Sequence, residues 1–287
     1  MPNHRPAGPS EHQKALTNPR SDRVKAVRSL SRRSVRSRAG EFLAEGPQAV
    51  REAVNHRPDL VRDVYVTAEA AARHPAIVQN ALDRDLWVHE VSPEVLAAMV
   101  DSQAPQGIAA VCSTLDVTLE AAMAALVGPT DLRPAALVCV LTNVRDPGNA
   151  GTVIRGADAA GADLVIVSDS SVDVYNPKVV RSTAGSLWHL PICVGEPVPA
   201  ILAALRSAGV RLLAADGSGA SLLPDVDLTS SHAWVMGNEA WGLPADLREA
   251  CDEVVQVPIY GRAESLNLAM AATVCLYASA QALHAAH

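Results

Sequence analysis

The run Leu141-Thr-Asn-Val-Arg-Asp-Pro-Gly-Asn-Ala-Gly-Thr-Val-Ile-Arg155 joins an apolar segment to a helical one through a turn marked by proline and glycine. No other stretch constrains the fold as much. Ala136 to Leu141 has the unbroken apolar character of a buried strand, and Thr152 to Ala160 has the pattern of the helix that follows. Pro147, Gly148 and Gly151 mark the turn between them. Glycines in such a turn normally offer helix amides to a phosphate. Here the spacing is neither G-x-G-x-x-G nor a Walker loop, so the junction points away from dinucleotide and P-loop folds.

The alternation that begins there continues to the end of the chain. Strands are expected at 136–141, 163–167, 190–194, 210–215, 233–236 and 253–257, with helices between them and a closing helix from Ser265. Strand-helix alternation predicts an α/β fold with a mostly parallel sheet covered on both faces. Upstream, the pattern predicts a smaller α/β domain. It has a helical segment from Glu41 to Asn55, strands at Val61–Val66, Leu86–Val91 and Gly107–Cys112, and helices over Ala68–Leu82 and Ser92–Val100. The expected organisation is a disordered lead (1–19), a first domain (20–114), a linker (115–134) carrying Gly128-Pro129 and Arg133-Pro134, and a second domain (135–287).

Composition narrows the partners. A net charge of −7 argues against a generally nucleic-acid-coated surface. The average conceals a basic stripe of Arg20, Arg23, Lys25, Arg28, Arg32, Arg33, Arg36 and Arg38, in which Asp22 is the only acid. Val24, Val27 and Leu30 interleave with it at helical spacing, so phosphate binding on a helix is expected, with Arg28, Arg32, Arg33 and Arg36 as contacts. The five cysteines lack C-x-x-C spacing and sit among aliphatic residues, which suits buried thiols in a reducing compartment. No apolar leader precedes Arg20, and the apolar stretch Leu266–Leu283 is interrupted by Asn267, Thr273, Ser279 and Gln281. A cytoplasmic protein with no membrane span is expected. The nine histidines show no metal-ligand pairing, so no metal is expected.

Two further segments accompany the opening run: Tyr175-Asn-Pro-Lys-Val-Val-Arg-Ser-Thr-Ala-Gly185, and the split pair Met236-Gly-Asn-Glu-Ala-Trp-Gly-Leu243 with Val257-Pro-Ile-Tyr-Gly-Arg-Ala-Glu-Ser-Leu-Asn-Leu268. In this order the three resemble the signature motifs of the SpoU (TrmH-like) family of RNA 2′-O-ribose methyltransferases, within the knotted SPOUT superfamily. Val24-Lys-Ala-Val-Arg-Ser-Leu30 and Gly40-Glu-Phe-Leu-Ala-Glu-Gly46 resemble, less strongly, the substrate-binding domain that many members carry in front of the catalytic one.

The resemblance implies a trefoil-knotted catalytic domain, with the knot in the part from about Leu212 onward, acting as a homodimer on RNA, most often ribosomal RNA. It implies S-adenosylmethionine as methyl donor, with Asn149, Arg155, Glu239, Ser265 and Asn267 as catalytic residues. Ala214, Met236, Gly237, Asn238, Gly242, Val257, Ile259, Leu266 and Asn267 would form the donor pocket, largely through backbone groups. Arg145, Lys178 and Arg181 would meet RNA phosphates, Lys178 and Arg181 from one helix face. Local readings stand beside these roles: Asn149 suits a helix cap next to Gly148, and Ser265 suits the cap of the last helix. The alternatives are a non-catalytic RNA-binding or assembly protein on the same scaffold, and tRNA as substrate. Retention of all five catalytic-type residues speaks against the first.

Overall fold

The computed structural model describes residues 15–126 and 135–285. Its contacts divide the chain into two units, 1–114 with Tyr175–Arg181, and 115–174 with 182–287.

The first unit opens with α1 (Asp22–Ser29) and α2 (Arg33–Ala39). Ser21 caps α1 by accepting a hydrogen bond from the Val24 amide. Then come β1 (Glu41–Glu45), α3 (Pro47–His56), β2 (Val61–Val66), α4 (Ala68–Arg73), α5 (Pro75–Leu82), β3 (Trp87–Glu90), α6 (Pro93–Met99) and β4 (Ile108–Ser113). The sheet runs in the order β1-β4-β2-β3, antiparallel except for the parallel β2–β3 pair. Val24, Val27 and Leu30 bury against Leu43, Tyr65, Leu96, Met99 and Val111, so the predicted apolar stripe of α1 is a core face.

Three expectations are revised in this unit. The segment from Glu41 to Asn55 is not one helix, because its first half is β1, paired with β4, and Gly46 at φ 92° turns the chain into α3. The run Phe42-Leu43-Ala44 fits a buried strand as well as a helix, and periodicity alone does not separate the two. The helix expected over Ala68–Leu82 is broken at His74, which precedes Pro75 and leaves the helical region as pre-proline residues do. The expected disordered lead stops short of Leu16, whose amide donates to the Glu90 carbonyl at the sheet's edge; residues 1–14 lie outside the described residues.

The second unit starts earlier than the expected linker boundary. Val117 bridges Cys193, and α7 (Leu119–Leu126) packs Ala122, Met123 and Leu126 into the core. The remaining linker residues, 127–134, lie outside the described residues. The elements that follow are β5 (Leu137–Leu141), α8 (Pro147–Ala159), β6 (Leu164–Ser168), α9 (Pro177–Ser182), β7 (Ile192–Glu196), α10 (Val198–Ser207), β8 (Arg211–Ala215), β9 (Ser221–Leu222), β10 (His232–Met236), α11 (Ala245–Glu249), β11 (Glu253–Gln256) and α12 (Leu268–Ala285). Most of α9 belongs by its contacts to the first unit.

The sheet order is β7-β6-β5-β10-β8-β11-β9, and every neighbouring pair is parallel. Strands β5, β6 and β10 are buried along their whole length, as a parallel sheet covered on both faces requires. Burial pushes the Cys139 and Cys275 thiols up to about 12, which leaves them inert packing groups.

The closing helix begins at Leu268 rather than Ser265 and packs on α8, β10 and β5. The approach of α8 and α12 is close: a Cβ at Gly156 would stand 2.9 Å from Thr273 Oγ1. Ser279, buried on α12, accepts from the Trp234 indole at 2.8 Å and lies 2.6 Å from His232 Nε2. These bonds fasten α12 to β10.

Candidate active site

The carboxyl ends of β5, β8, β10 and β11 lie at one edge of the sheet, where open α/β sheets bind ligands. After β5, Thr142 donates through both its amide and its hydroxyl to the Met236 carbonyl, each at 2.9 Å. Asn143 follows at φ 55°, a left-handed conformation that asparagine tolerates. Its carbonyl accepts from Asn238 Nδ2 at 2.7 Å, which ties the loops after β5 and β10 together. Asp146, not Asn149, caps α8 by accepting from the Asn149 amide at 2.8 Å.

Asn149 is thereby free to use its side chain elsewhere. Its Nδ2 donates to Glu239 Oε1 at 3.4 Å, and its Oδ1 accepts from Asn267 Nδ2 at 3.0 Å. Glu239 also accepts from the amides of Asp146 at 3.0 Å and Arg145 at 3.2 Å. A carboxylate in that position is favoured by the amino end of α8. Asn267 Oδ1 accepts from the amides of Ala269 at 2.9 Å and Met270 at 3.4 Å, so Asn267 rather than Ser265 is the cap of α12. Residues from the opening run and from both halves of the split motif thus form one chain, Glu239–Asn149–Asn267.

Beside this chain lies a pocket of about 290 Å³. Met236, Gly237, Asn238, Gly242, Val257, Ile259 and Leu266 line it, as expected, together with Glu239 and Ser265. Two expected donor contacts fall elsewhere. Ala214 points into the sheet core and its neighbour Ala215 lines the pocket, because alternate residues of a strand face opposite sides. Asn267 is not part of the lining and instead bonds Asn149. Gly237 is required by a close loop crossing, since a Cβ there would sit 2.4 Å from the Gly242 backbone.

Sequence reasoning missed Asp216, which lines the pocket and fastens its wall. Its carboxylate accepts from the Ser218 amide (2.9 Å) and hydroxyl (2.6 Å) and from the Leu243 amide (3.2 Å), with Arg248 at 3.3 Å. Burial pulls its pKa upward, but the bonds from Ser218 and Leu243 and the charge of Arg248 outweigh that and hold it below the usual carboxylate range. The signal was available: an acid directly after the apolar strand ending at Ala215.

Among the described residues, none from Pro258 to Leu266 makes a hydrogen bond. Residues 260–265 are exposed, whereas Ile259 and Leu266 are half-buried at the pocket, so their unpaired backbone groups are open to a ligand. The pocket combines those groups with the apolar side chains of Val257, Ile259 and Leu266. That mixture fits the adenosine of S-adenosylmethionine: an apolar slot for the base and backbone partners for its edges.

The remaining predicted residues separate. Arg155 is exposed on α8, six residues and ~9 Å of helix rise beyond Asn149 and on a different face, and does not join the chain. Arg145 is exposed beside Glu239. Lys178 is exposed, but Arg181 is held by Glu45 at 2.7 Å and Asp101 at 3.4 Å in the first unit, where the buried Glu45 carboxylate needs a cation. Arg181 is therefore withdrawn from the expected phosphate contacts. Arg28, Arg32 and Arg33 are exposed. Arg36 is 3% exposed and donates to the carbonyls of Leu30 and Ser31 at 2.8 and 2.7 Å, so it braces the α1–α2 turn instead of meeting RNA.

Comparison with known proteins agrees with this geometry. The profile of the SpoU rRNA Methylase family matches residues 136–277, and that of the MRM3-like substrate binding domain matches 21–110. The chain is 31% identical over 264 residues to the 23S rRNA (guanosine(2553)-2′-O)-methyltransferase RlmP of Bacillus subtilis, covering 92% of this chain and 98% of that one. The chain belongs to the SpoU family. Another SpoU relative is the 23S rRNA (uridine(2479)-2′-O)-methyltransferase of Streptomyces viridochromogenes, 35% identical over 86% of this chain and 85% of the relative. Among solved structures, the AdoMet-bound rRNA methyltransferase of Sinorhizobium meliloti superposes with a TM-score of 0.79 at 28% identity, over 94% and 98% of the two chains. With SpoU membership, S-adenosylmethionine is the cofactor of this fold.

Proposed function

We infer that this protein transfers a methyl group from S-adenosylmethionine to a ribose 2′-hydroxyl of ribosomal RNA. The observation that carries this reading is the Glu239–Asn149–Asn267 chain standing at a pocket where the half-buried Ile259 and Leu266 have unpaired backbone groups. When bound, S-adenosylmethionine supplies a sulfonium methyl as electrophile. The protein's task is to hold the hydroxyl oxygen in line with it, and such positioning is worth several kcal/mol of barrier. Backbone groups near Ile259 and Leu266 would hold the adenosine, while Gly237 and Gly242 let the chain close on it. Glu239 fixes the orientation of Asn149, and the Asn149 amide orients the incoming ribose.

The hydroxyl proton also needs a destination. Arginine does not act as a proton acceptor, since it stays charged in proteins. Arg155 serves as a cation that contacts substrate phosphate and lowers the hydroxyl pKa, and the proton leaves to another acceptor. In one chain Arg155 stands apart from the Asn149 network, so we place it in the site of a second copy within a homodimer. Support comes from α12, where Met270, Val274 and Tyr277 are 59%, 44% and 44% exposed on one stripe next to the α8 contact.

The test is to map ribose 2′-O-methylation in ribosomal RNA and transfer RNA from cells with and without this protein. A position in ribosomal RNA that loses its methyl group supports the reading. A change confined to transfer RNA, or none, overturns it.

A further inference from the structure

Trp241 is 61% exposed, whereas Trp188 and Trp234 are buried and Trp87 is half-buried. An exposed indole offers a partner a large flat face and a polar N–H. Its loop is closed and braced. Asn238 and Gly242 exchange backbone hydrogen bonds at 2.9 and 3.0 Å, and Asn238 Oδ1 accepts from the Ala240 amide at 2.8 Å. Asn238 Nδ2 holds the Asn143 carbonyl, and Asp216 holds the Leu243 amide. A ring carried on such a loop loses little conformational freedom when it binds.

We propose that Trp241 is a stacking platform for a nucleobase of the RNA substrate, at or next to the ribose that is methylated. The proposal rests on the RNA-methylation reading above. Ala240 and Gly242, on either side of Trp241, line the donor pocket, and Glu239 anchors the start of α8. A ribose whose hydroxyl enters that pocket brings its own base or its neighbour's to this loop. Exposed Arg145, whose amide bonds Glu239, belongs to this loop cluster, and exposed Arg262 and the 90% exposed Tyr260 lie in the segment between the pocket-lining Ile259 and Glu264. Aromatic faces among arginines suit unpaired RNA, with bases on the rings and phosphates on the guanidinium groups.

The test compares full-length wild type with Trp241→Ala and Trp241→Phe, using transcribed 23S rRNA as probe. It measures RNA affinity, kcat and KM, S-adenosylmethionine affinity by calorimetry, and sedimentation. Loss of one stacked base should weaken RNA affinity and raise KM about tenfold or more in Trp241→Ala. Trp241→Phe should keep most of the affinity, with donor affinity and sedimentation unchanged in both. An RNA affinity within about two-fold of wild type in Trp241→Ala would overturn the proposal. So would a loss that accompanies altered sedimentation, because a second copy would then be covering the ring. A wild type that methylates no RNA, with Trp241→Ala still losing RNA affinity, would sink the reaction reading and support the stacking one.

Discussion

Arg155 makes no hydrogen bond or ion pair among the described residues, although it sits in the run that joins β5 to α8. We propose that this exposed arginine serves the substrate rather than the fold. Arg155→Ala should lower kcat by about 10²–10³-fold, the scale on which losing one charge-stabilising group acts. S-adenosylmethionine affinity should stay within a few-fold. Near-normal turnover in a methyl-transfer assay would remove Arg155 from the mechanism. Arg36 is the opposite case: it stands in the same basic stripe as Arg28, Arg32 and Arg33, yet it is buried on the carbonyls of Leu30 and Ser31. A linear stripe does not tell which arginine turns inward, because that depends on where the α1–α2 turn leaves carbonyls without partners.

At the scale of elements, α12 carries the most consequence. Its buried side is fixed by Ala272, Cys275, Leu276 and Ser279, and its open side shows Met270, Val274 and Tyr277. Leu266 precedes the helix and lines the pocket. Because Val274 is exposed, Val274→Asp should leave the fold intact while it weakens dimer assembly and activity together. A fully active monomer in sedimentation at micromolar concentration would refute the dimer.

The same helix is fastened through His232. Burial foremost, with the charge of Arg211 adding to it, holds the His232 pKa below its ordinary value against the opposing pull of the Ser230 carbonyl. The folded state therefore prefers neutral His232. Its contribution to stability is complete above the unfolded value of ~6.5 and is lost as pH falls below that toward the folded pKa. The melting temperature of the wild type should drop between about pH 7 and 5, and His232→Gln should flatten that part of the curve. Identical slopes in the two proteins would show that His232 is not the group responsible.

For the molecule as a whole, a net charge of −7 and a basic first unit imply that RNA affinity depends on a few local phosphates. Changing Arg28, Arg32 and Arg33 together to Gln should reduce the slope of log affinity against log salt by roughly 2–3, about one per phosphate released. A slope unchanged from wild type would mean that these arginines only face solvent. Arg36→Gln should leave the slope alone and lower the melting temperature, because it orphans two carbonyls.

The sequence by itself determined the parallel α/β domain and named most residues that line the pocket. Apolar runs such as Leu137–Leu141 and Leu164–Ser168 are local signals of doubly covered strands. Asn149, Glu239 and the residues of the pocket wall lie inside short segments whose internal spacing survives folding. Tertiary structure decided what depends on chains far apart in sequence. It placed β10 between β5 and β8, made Asn267 both the cap of α12 and the partner of Asn149, and drew Arg181 to Glu45. It also turned Glu41–Glu45 into a strand, because a short apolar run takes whichever form its neighbours can hydrogen-bond, and here β4 supplied an antiparallel edge. Local pattern fixes what an element can be; which partner satisfies its backbone and charges is settled only when the distant segments meet.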